Sequence, residues 1–349
     1  MSDEDDLLAM SESIGKVLAG SADREHLHAH LDGKISLDAE LWAQAAELGW
    51  LAIGLPEEAA GGLGFGARGL DVLHRRLGTR VAPGPFAASL SAAQALADAG
   101  VDAGNWLDRL AAGEAKLAVP ALMTGAPLAE ATWLFGDVDS DAALAPLGSG
   151  EWGLVPLEDA SAIALWDRTR CLFTANLDGS VPLATFDGAG IAEALTRQLC
   201  LALAADSIGG ARAILEITID YMKEREQFGK PIASFQALKH RVADHMTEIV
   251  SGEEFLSLAV ASEASGDPDA GIWARLAKAR CTESYLRIAQ DCLQLHGGVG
   301  FTWEFDVHMY LNRARLSELL VAANTQLKDE AAAGLAESFR AGREPLELA

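Results

Sequence analysis

Basic residues are scarce in this 349-residue chain: 27 Lys and Arg stand against 51 Asp and Glu, a net charge of −24. A surface of that sign repels phosphate backbones, which excludes nucleic acid as a partner class. Cysteine is scarcer still. Cys171, Cys200, Cys281 and Cys292 lie far apart with no CxxC pair, which excludes a disulfide frame and a cysteine zinc site and fits buried thiols in a reducing compartment. No apolar run approaches the length of about twenty residues that a membrane helix needs, so no membrane partner is expected. The stretch MSDEDDLLAM is acidic where a signal or transit peptide is basic, which points to the cytoplasm. A GxSxG elbow is missing, and the glycine-rich Gly61-Gly62-Leu63-Gly64-Phe65-Gly66 is not the GxGxxG phosphate cradle. His26 and His30 lie one helical turn apart with His28 between them, but no Glu or Asp completes a ligand set, and no metal is expected. What remains is a chain 50% hydrophobic and 22% charged, long enough for two or three packed units with sizeable cores.

The pattern changes twice along the chain. Residues 1–117 read as an N-terminal helical domain. The segment Leu41–Gly49 has helical apolar spacing and stops on a C-cap glycine, and further helices cover Ala67–Leu77 and the region Phe86–Leu110. Residues 118–190 read as a small, shortened middle β-domain. Its short apolar runs at Leu117–Pro120, Ala143–Pro146, Trp152–Pro156 and Ala162–Leu165, separated by Gly, Asp and Pro, predict an antiparallel sheet or barrel. Residues 191–349 return to helical spacing in segments of roughly 25 residues or longer, which predicts a C-terminal four-helix bundle. The fold class is α+β.

Two motifs stand out in the last block. Arg225-Glu226-Gln227-Phe228-Gly229-Lys230-Pro231-Ile232 leads into Phe235-Gln236, and Gln294-Leu295-His296-Gly297-Gly298-Val299-Gly300-Phe301 follows later. Pro231 is expected to end the preceding helix and leave Arg225 near its C-terminal turn. The glycines let backbone pass close to another surface. Either motif alone reads as a corner or a hinge; both together, at these positions in an α–β–α chain, are hard to dismiss.

On these residues the sequence resembles the acyl-CoA dehydrogenase family over nearly its whole length. Leu41-Trp42, Gly49, Leu55-Pro56-Glu57-Glu58 and Gly61-Gly62 look like the family's N-terminal domain. Tyr221–Asp244 and Gln294–Arg313 look like its C-terminal domain. The resemblance implies an acyl-CoA dehydrogenase-like fold, FAD as cofactor, an acyl-CoA substrate and electron-transferring flavoprotein as acceptor. It also implies that Arg225, Gln227, Phe228, Gln236, Gln294, Gly297, Gly298, Thr325 and Gln326 hold the cofactor, with Arg225, Gln236, Gln294, Gly297 and Gly298 reaching a neighbouring subunit's FAD. A guanidinium suits a pyrophosphate, and glycines admit it to backbone N–H groups.

The proton-abstracting glutamate of the family has no counterpart. Its commonest position is Ala322, in Ala322-Ala323-Asn324-Thr325-Gln326, and its known alternative is Leu199, followed by Cys200 where the family has arginine. Asp206, seven residues beyond Leu199 on the same helical face and about 10 Å away, is the substitute candidate, beside its reading as a solvated or capping aspartate. The family's acidic loop over the flavin is replaced by Met123-Thr124-Gly125-Ala126-Pro127, and its Trp-Ile-Thr segment is absent; Trp133 and Trp152 sit in other contexts. With Gly300-Phe301-Thr302-Trp303-Glu304 and Asp167-Arg168-Thr169-Arg170, this pattern resembles the short subunits of actinobacterial steroid- and side-chain-degrading acyl-CoA dehydrogenases, which work as α2β2 heterotetramers. The implied function is a subunit that completes a partner's FAD site. Two alternatives stay open: a homo-oligomeric dehydrogenase with a non-standard base, and a scaffold that kept only the fold.

Overall fold

The computed structural model describes residues 3–58, 61–123, 132–148, 150–176, 180–303 and 305–343. Helices α1 (Asp3–Ser21), α2 (Arg24–Leu31), α3 (Leu37–Glu47), α4 (Gly66–Thr79), α5 (Phe86–Asp98) and α6 (Trp106–Ala111) come first. The stop after α3 is the expected one: Gly49 takes φ 73°, the left-handed conformation of a helix-ending glycine.

Strands β1 (Leu117–Pro120), β2 (Leu134–Gly136), β3 (Ala142–Gly148), β4 (Glu151–Pro156), β5 (Glu158–Ala162), β6 (Cys171–Asn176) and β7 (Ala184–Asp187) follow. They form one sheet in the order β5-β6-β2-β1-β3-β4-β7. The sheet is mixed, not purely antiparallel, because β1 runs parallel to β3. The expected strand at Ala162–Leu165 is displaced: β5 ends at Ala162, though the Ile163 N–H still donates to the Leu172 carbonyl at 2.8 Å. Alternation along the strands separates two faces. Leu117, Val119, Phe135, Leu144 and Leu154 join the core shared with α5 and the long helix that follows. Ala118, Leu134, Ala143, Ala145 and Phe173 form a small cluster of their own on the other face.

The C-terminal part holds α7 (Gly188–Glu224), α8 (Gln236–Ser265), α9 (Ala270–His296), α10 (Val307–Leu319) and α11 (Asn324–Arg340), with a two-stranded hairpin of β8 (Glu226–Gln227) and β9 (Lys230–Pro231). Helix α9 is central and packs against α7, α8, α10 and α11. The first three helices have the expected length; α10 and α11, at 13 and 17 residues, are shorter than their continuous apolar pattern suggested. Helix α4 crosses α7 with backbones in contact. A Cβ at Gly78 would lie 2.1 Å from the Asp206 carbonyl oxygen, and one at Gly209 would lie 2.0 Å from that of Arg75. That crossing decides the surroundings of Asp206.

Candidate functional site

Helix α7 ends at Glu224, and Arg225 is the first residue beyond it, with extended φ −72° and ψ 120°. Pro231 does not stop this helix; it lies in β9, six residues later in the chain. The stop comes from the hairpin itself. The Arg225 N–H donates to the Tyr221 carbonyl, and the Arg225 carbonyl accepts from the Ile232 N–H, each at 2.8 Å. The β8–β9 turn is two residues, Phe228 at φ 55° and Gly229 at φ 75°. Two positive φ values are what a tight hairpin of this twist requires, and a phenylalanine there is strained. Phe228 is also 91% exposed.

Gln236 opens α8 and Gln294 lies in the last turn of α9, both exposed. Gly297 ends α9 at φ 65° and ψ −144°, a combination reserved to glycine, and a Cβ on either Gly297 or Gly298 would meet nothing within 4 Å. The open space lies against the backbone. Among the described residues the Arg225 guanidinium has no hydrogen-bond partner. An unengaged guanidinium, exposed amides and a backbone turn without side chains fit an anionic pyrophosphate. The Gln227 amide turns back to the Glu226 carbonyl at 2.8 Å.

Thr325 and Gln326 stand elsewhere, exposed in the first turn of α11, where the Gln326 amide donates to Glu330 at 2.9 Å. Asn324 beside them bonds to Thr282 at 3.0 Å. Thr282 is twelve residues from Gln294 along α9, about 18 Å at the helical rise. The nine residues expected to hold the cofactor therefore form two groups, one at the end of α9 and one beside its middle.

Ala322 sits at the second group, in the corner between α10 and α11. Val321, at φ 72°, bridges to the end of β1: its N–H donates to the Ala121 carbonyl and its carbonyl accepts from the Met123 N–H, both at 2.8 Å. So Ala322, expected to stand at the family's base position, and the chain just after β1 come together; Thr124, Gly125, Ala126 and Pro127, like Glu304, lie outside the described residues. Lys278, fully buried in α9, stitches the corner. Its Nζ donates to the carbonyls of Glu318 (2.8 Å) and Ala322 (3.1 Å) and to Asn324 Oδ1 (2.9 Å). Burial pushes the Lys278 ammonium down to about 8. Ala322 and Leu199 are both buried, Leu199 at 1% exposure, and neither can accept a proton.

Asp206 is neither solvated nor a cap. It is 2% exposed at the α4–α7 crossing, and its oxygens are occupied. Arg313 donates through Nε (3.0 Å) and Nη2 (2.5 Å), and Arg170 through Nη2 (2.9 Å). Burial alone would raise this carboxyl, but the Arg313 and Arg170 guanidiniums outweigh it and hold it below the usual aspartate range. A carboxylate stabilised in its charged form by two cations is a poor base. Arg313 also reaches the Ala82 carbonyl and Thr169, and Arg170 reaches Ser317, so the cluster ties the N-terminal helices, the sheet and α10 to α7. Asp206 is a structural tie.

The three histidines are separated by their partners: His26 bonds to Asp23 at 2.9 Å, His28 to Asp306 at 2.8 Å, and His30 Nδ1 lies 3.8 Å from Asp38. A cavity of about 710 Å³ between α7, α8, α9 and α11 is lined by Arg197, Arg275 and Arg343, each already paired with an acid, and by Glu330, the partner of Gln326. Arg170, Arg313 and Lys278 were not singled out by chemistry in the sequence. Of the three, Lys278 carries a signal in the sequence, a cation on the apolar helical stripe of Ala274, Ala277, Cys281 and Tyr285.

Comparisons with known proteins give the family and the fold. Residues 187–321 match the family described as acyl-CoA dehydrogenase, C-terminal domain. The chain is 31% identical to the acyl-CoA dehydrogenase IpdE2 of Mycobacterium tuberculosis, over 89% of this chain and 92% of that protein. This chain belongs to the acyl-CoA dehydrogenase family. Its fold superposes on the Tcur3481–Tcur3483 steroid ACAD variant with a TM-score of 0.82 at 26% identity, covering 97% of this chain and 99% of that one. The ChsE4–ChsE5 complex of Mycobacterium tuberculosis matches in fold at a TM-score of 0.82 and 24% identity, covering 97% and 98%. The family's enzymes are flavoprotein oxidoreductases that use FAD. Among the described residues no helix is long and apolar enough to cross a membrane.

Proposed function

We propose that this chain is a subunit of an FAD-dependent dehydrogenase that introduces an α,β double bond into an acyl-CoA thioester, and that it lacks a glutamate of its own and completes a partner's FAD site. The observation that carries this reading is the contrast at the two positions where the family keeps its base: Ala322 and Leu199 are apolar and buried, while Arg225, Gln236, Gln294, Gly297 and Gly298 stay exposed. When bound, FAD supplies the two-electron acceptor for the β-hydride. In this reading Arg225 would neutralise its pyrophosphate, Gly297 would leave room for it and the Gly298 N–H would meet a phosphate oxygen, and Gln236 and Gln294 would orient the adenosine end. The partner's glutamate takes the α-proton, and Thr325 and Gln326 belong to the flavin site beside the Ala322 corner.

The relatives support the substrate class and the assembly. One fold neighbour is a steroid ACAD of two named chains and another is a two-chain complex, which suits a heterotetramer acting in steroid or lipid degradation. Four free cysteines suit a cytoplasmic location, and an electron-transferring flavoprotein is the acceptor we infer. Three units, 1–117, 118–190 and 191–349, divide the chain in this reading.

The test is the visible flavin spectrum of the purified protein, with flavin counted per chain. Little flavin alone, restored by co-expression with a glutamate-bearing acyl-CoA dehydrogenase subunit, is the expected result. About one FAD per chain in the protein alone would overturn it in favour of a homo-oligomeric enzyme, and no flavin in either preparation would leave a scaffold.

A further inference from the structure

The exposed groups at the end of α9 come from two stretches of chain, the hairpin after α7 and the glycine turn after α9. Among the described residues no hydrogen bond joins the hairpin to that turn. What spans them is a pair of rings. Tyr221 lies one helical turn before Arg225 and accepts its N–H. The Tyr221 ring stacks on His296, with centroids 4.3 Å apart and planes at 18°. Its hydroxyl donates to the His296 carbonyl at 3.4 Å, the carbonyl of the peptide that enters Gly297. Phe305 closes the edge of both rings, each at 5.7 Å.

His296 itself is 3% exposed. Its Nδ1 lies 2.9 Å from the Cys292 carbonyl, and since a carbonyl only accepts, Nδ1 carries the proton. The Nε2 atom is buried with no partner. Burial lowers the ring's pKa, which keeps it neutral. A buried ring nitrogen without a partner is unfavourable, so this ring is held by its faces together with the single Nδ1–H bond to Cys292. On the far side, a Cβ at Gly300 would lie 3.0 Å from His296 Cβ, so the next turn of chain is packed against the same residue.

We propose that Tyr221 and His296 are positioning residues: their stack sets the spacing between the Arg225 guanidinium and the Gly298 amide, next to the Gly297 N–H that caps α9 on the Gln294 carbonyl, so that both grip one pyrophosphate. Two anchors on separate loops would otherwise have to be ordered when the cofactor binds, and a prebuilt spacing removes that cost. The inference rests on the reading of this face as the holder of a neighbour's FAD.

The experiment measures FAD dissociation by fluorimetric titration of the flavin-stripped protein, alone or with its glutamate-bearing partner, whichever retains flavin. Melting temperatures of the stripped protein are recorded alongside. Tyr221→Leu keeps an apolar side chain but removes the stack, and should weaken FAD about tenfold with an unchanged melting temperature. Tyr221→Phe keeps the stack and should bind within about twofold of the native chain. The proposal fails if Tyr221→Leu binds FAD as tightly as the native chain while Arg225→Ala does not, or if Tyr221→Phe is as weak as Tyr221→Leu. Unaltered binding in Arg225→Ala, or no flavin in either preparation, would overturn the reading of the face and this inference with it.

Discussion

Helix α9 meets loops at two places, and the two are built on opposite terms. At its end, around Gly297, the polar groups face water: Arg225 has no partner among the described residues, Gln236 and Gln294 are exposed, and Phe228 is held out by a turn that strains it. Beside its middle, around Ala322, the Lys278 ammonium is turned inward and bonded to three oxygens, Asn324 is buried against Thr282 and Ala322 is itself buried, while Thr325 and Gln326 stay exposed. The fold gains little from the first place and a great deal from the second. Features that folding does not need are kept for something outside the chain. The corner at Ala322 has been absorbed into the core instead.

Substitutions can break or sharpen this contrast. The largest effect is expected at Asp206→Asn, which leaves Arg170 and Arg313 buried without their counter-charge; unfolding in urea should show a loss of about 3–5 kcal/mol. Intact stability with lost turnover would instead restore Asp206 as a base. Lys278→Met removes the donor to the Glu318 and Ala322 carbonyls and to Asn324, and should cost about 2 kcal/mol in the same assay. A neutral result would mean that the corner is not held from α9.

Acidification gives a third, smaller effect. Burial, the largest influence on His74, lowers it from 6.5 to about 4. A group with a depressed native pKa binds fewer protons folded than unfolded between those values, so stability falls as pH drops from 6.5 to 4. His74→Leu should flatten that slope in a series of melts across the window. Smallest in stability is Arg225→Ala, expected within about 0.5 kcal/mol of the native chain because the side chain is exposed. The same variant should nonetheless lose retained flavin, and a large stability loss would place Arg225 among the structural cations.

Much of the architecture was legible because it rests on local patterns. The α3 stop at Gly49, the onset of strands at Leu117 and the return of helix, expected from residue 191 and found from Gly188, follow from periodicity and punctuation that neighbouring residues carry. Parallel pairing of β1 with β3 was not legible, since alternation looks the same in either direction. The end of α7 was misattributed to Pro231 because the hairpin is closed by backbone bonds that leave no residue signature. The nine residues expected to hold the cofactor could be named, but not their division into two groups about 18 Å apart along α9.

By itself the sequence determined the family, the order of helices and strands, and the absence of a carboxylate at Ala322 and Leu199, because each is a property of residue types and their spacing. Tertiary structure alone decided what Asp206, Lys278 and His296 do. Asp206 reads as a titratable acid until the crossing of α4 and α7 buries it and brings Arg313 and Arg170 to its oxygens. Charge and stacking act through distance in space, and distances between residues far apart in the chain are set only when the helices pack.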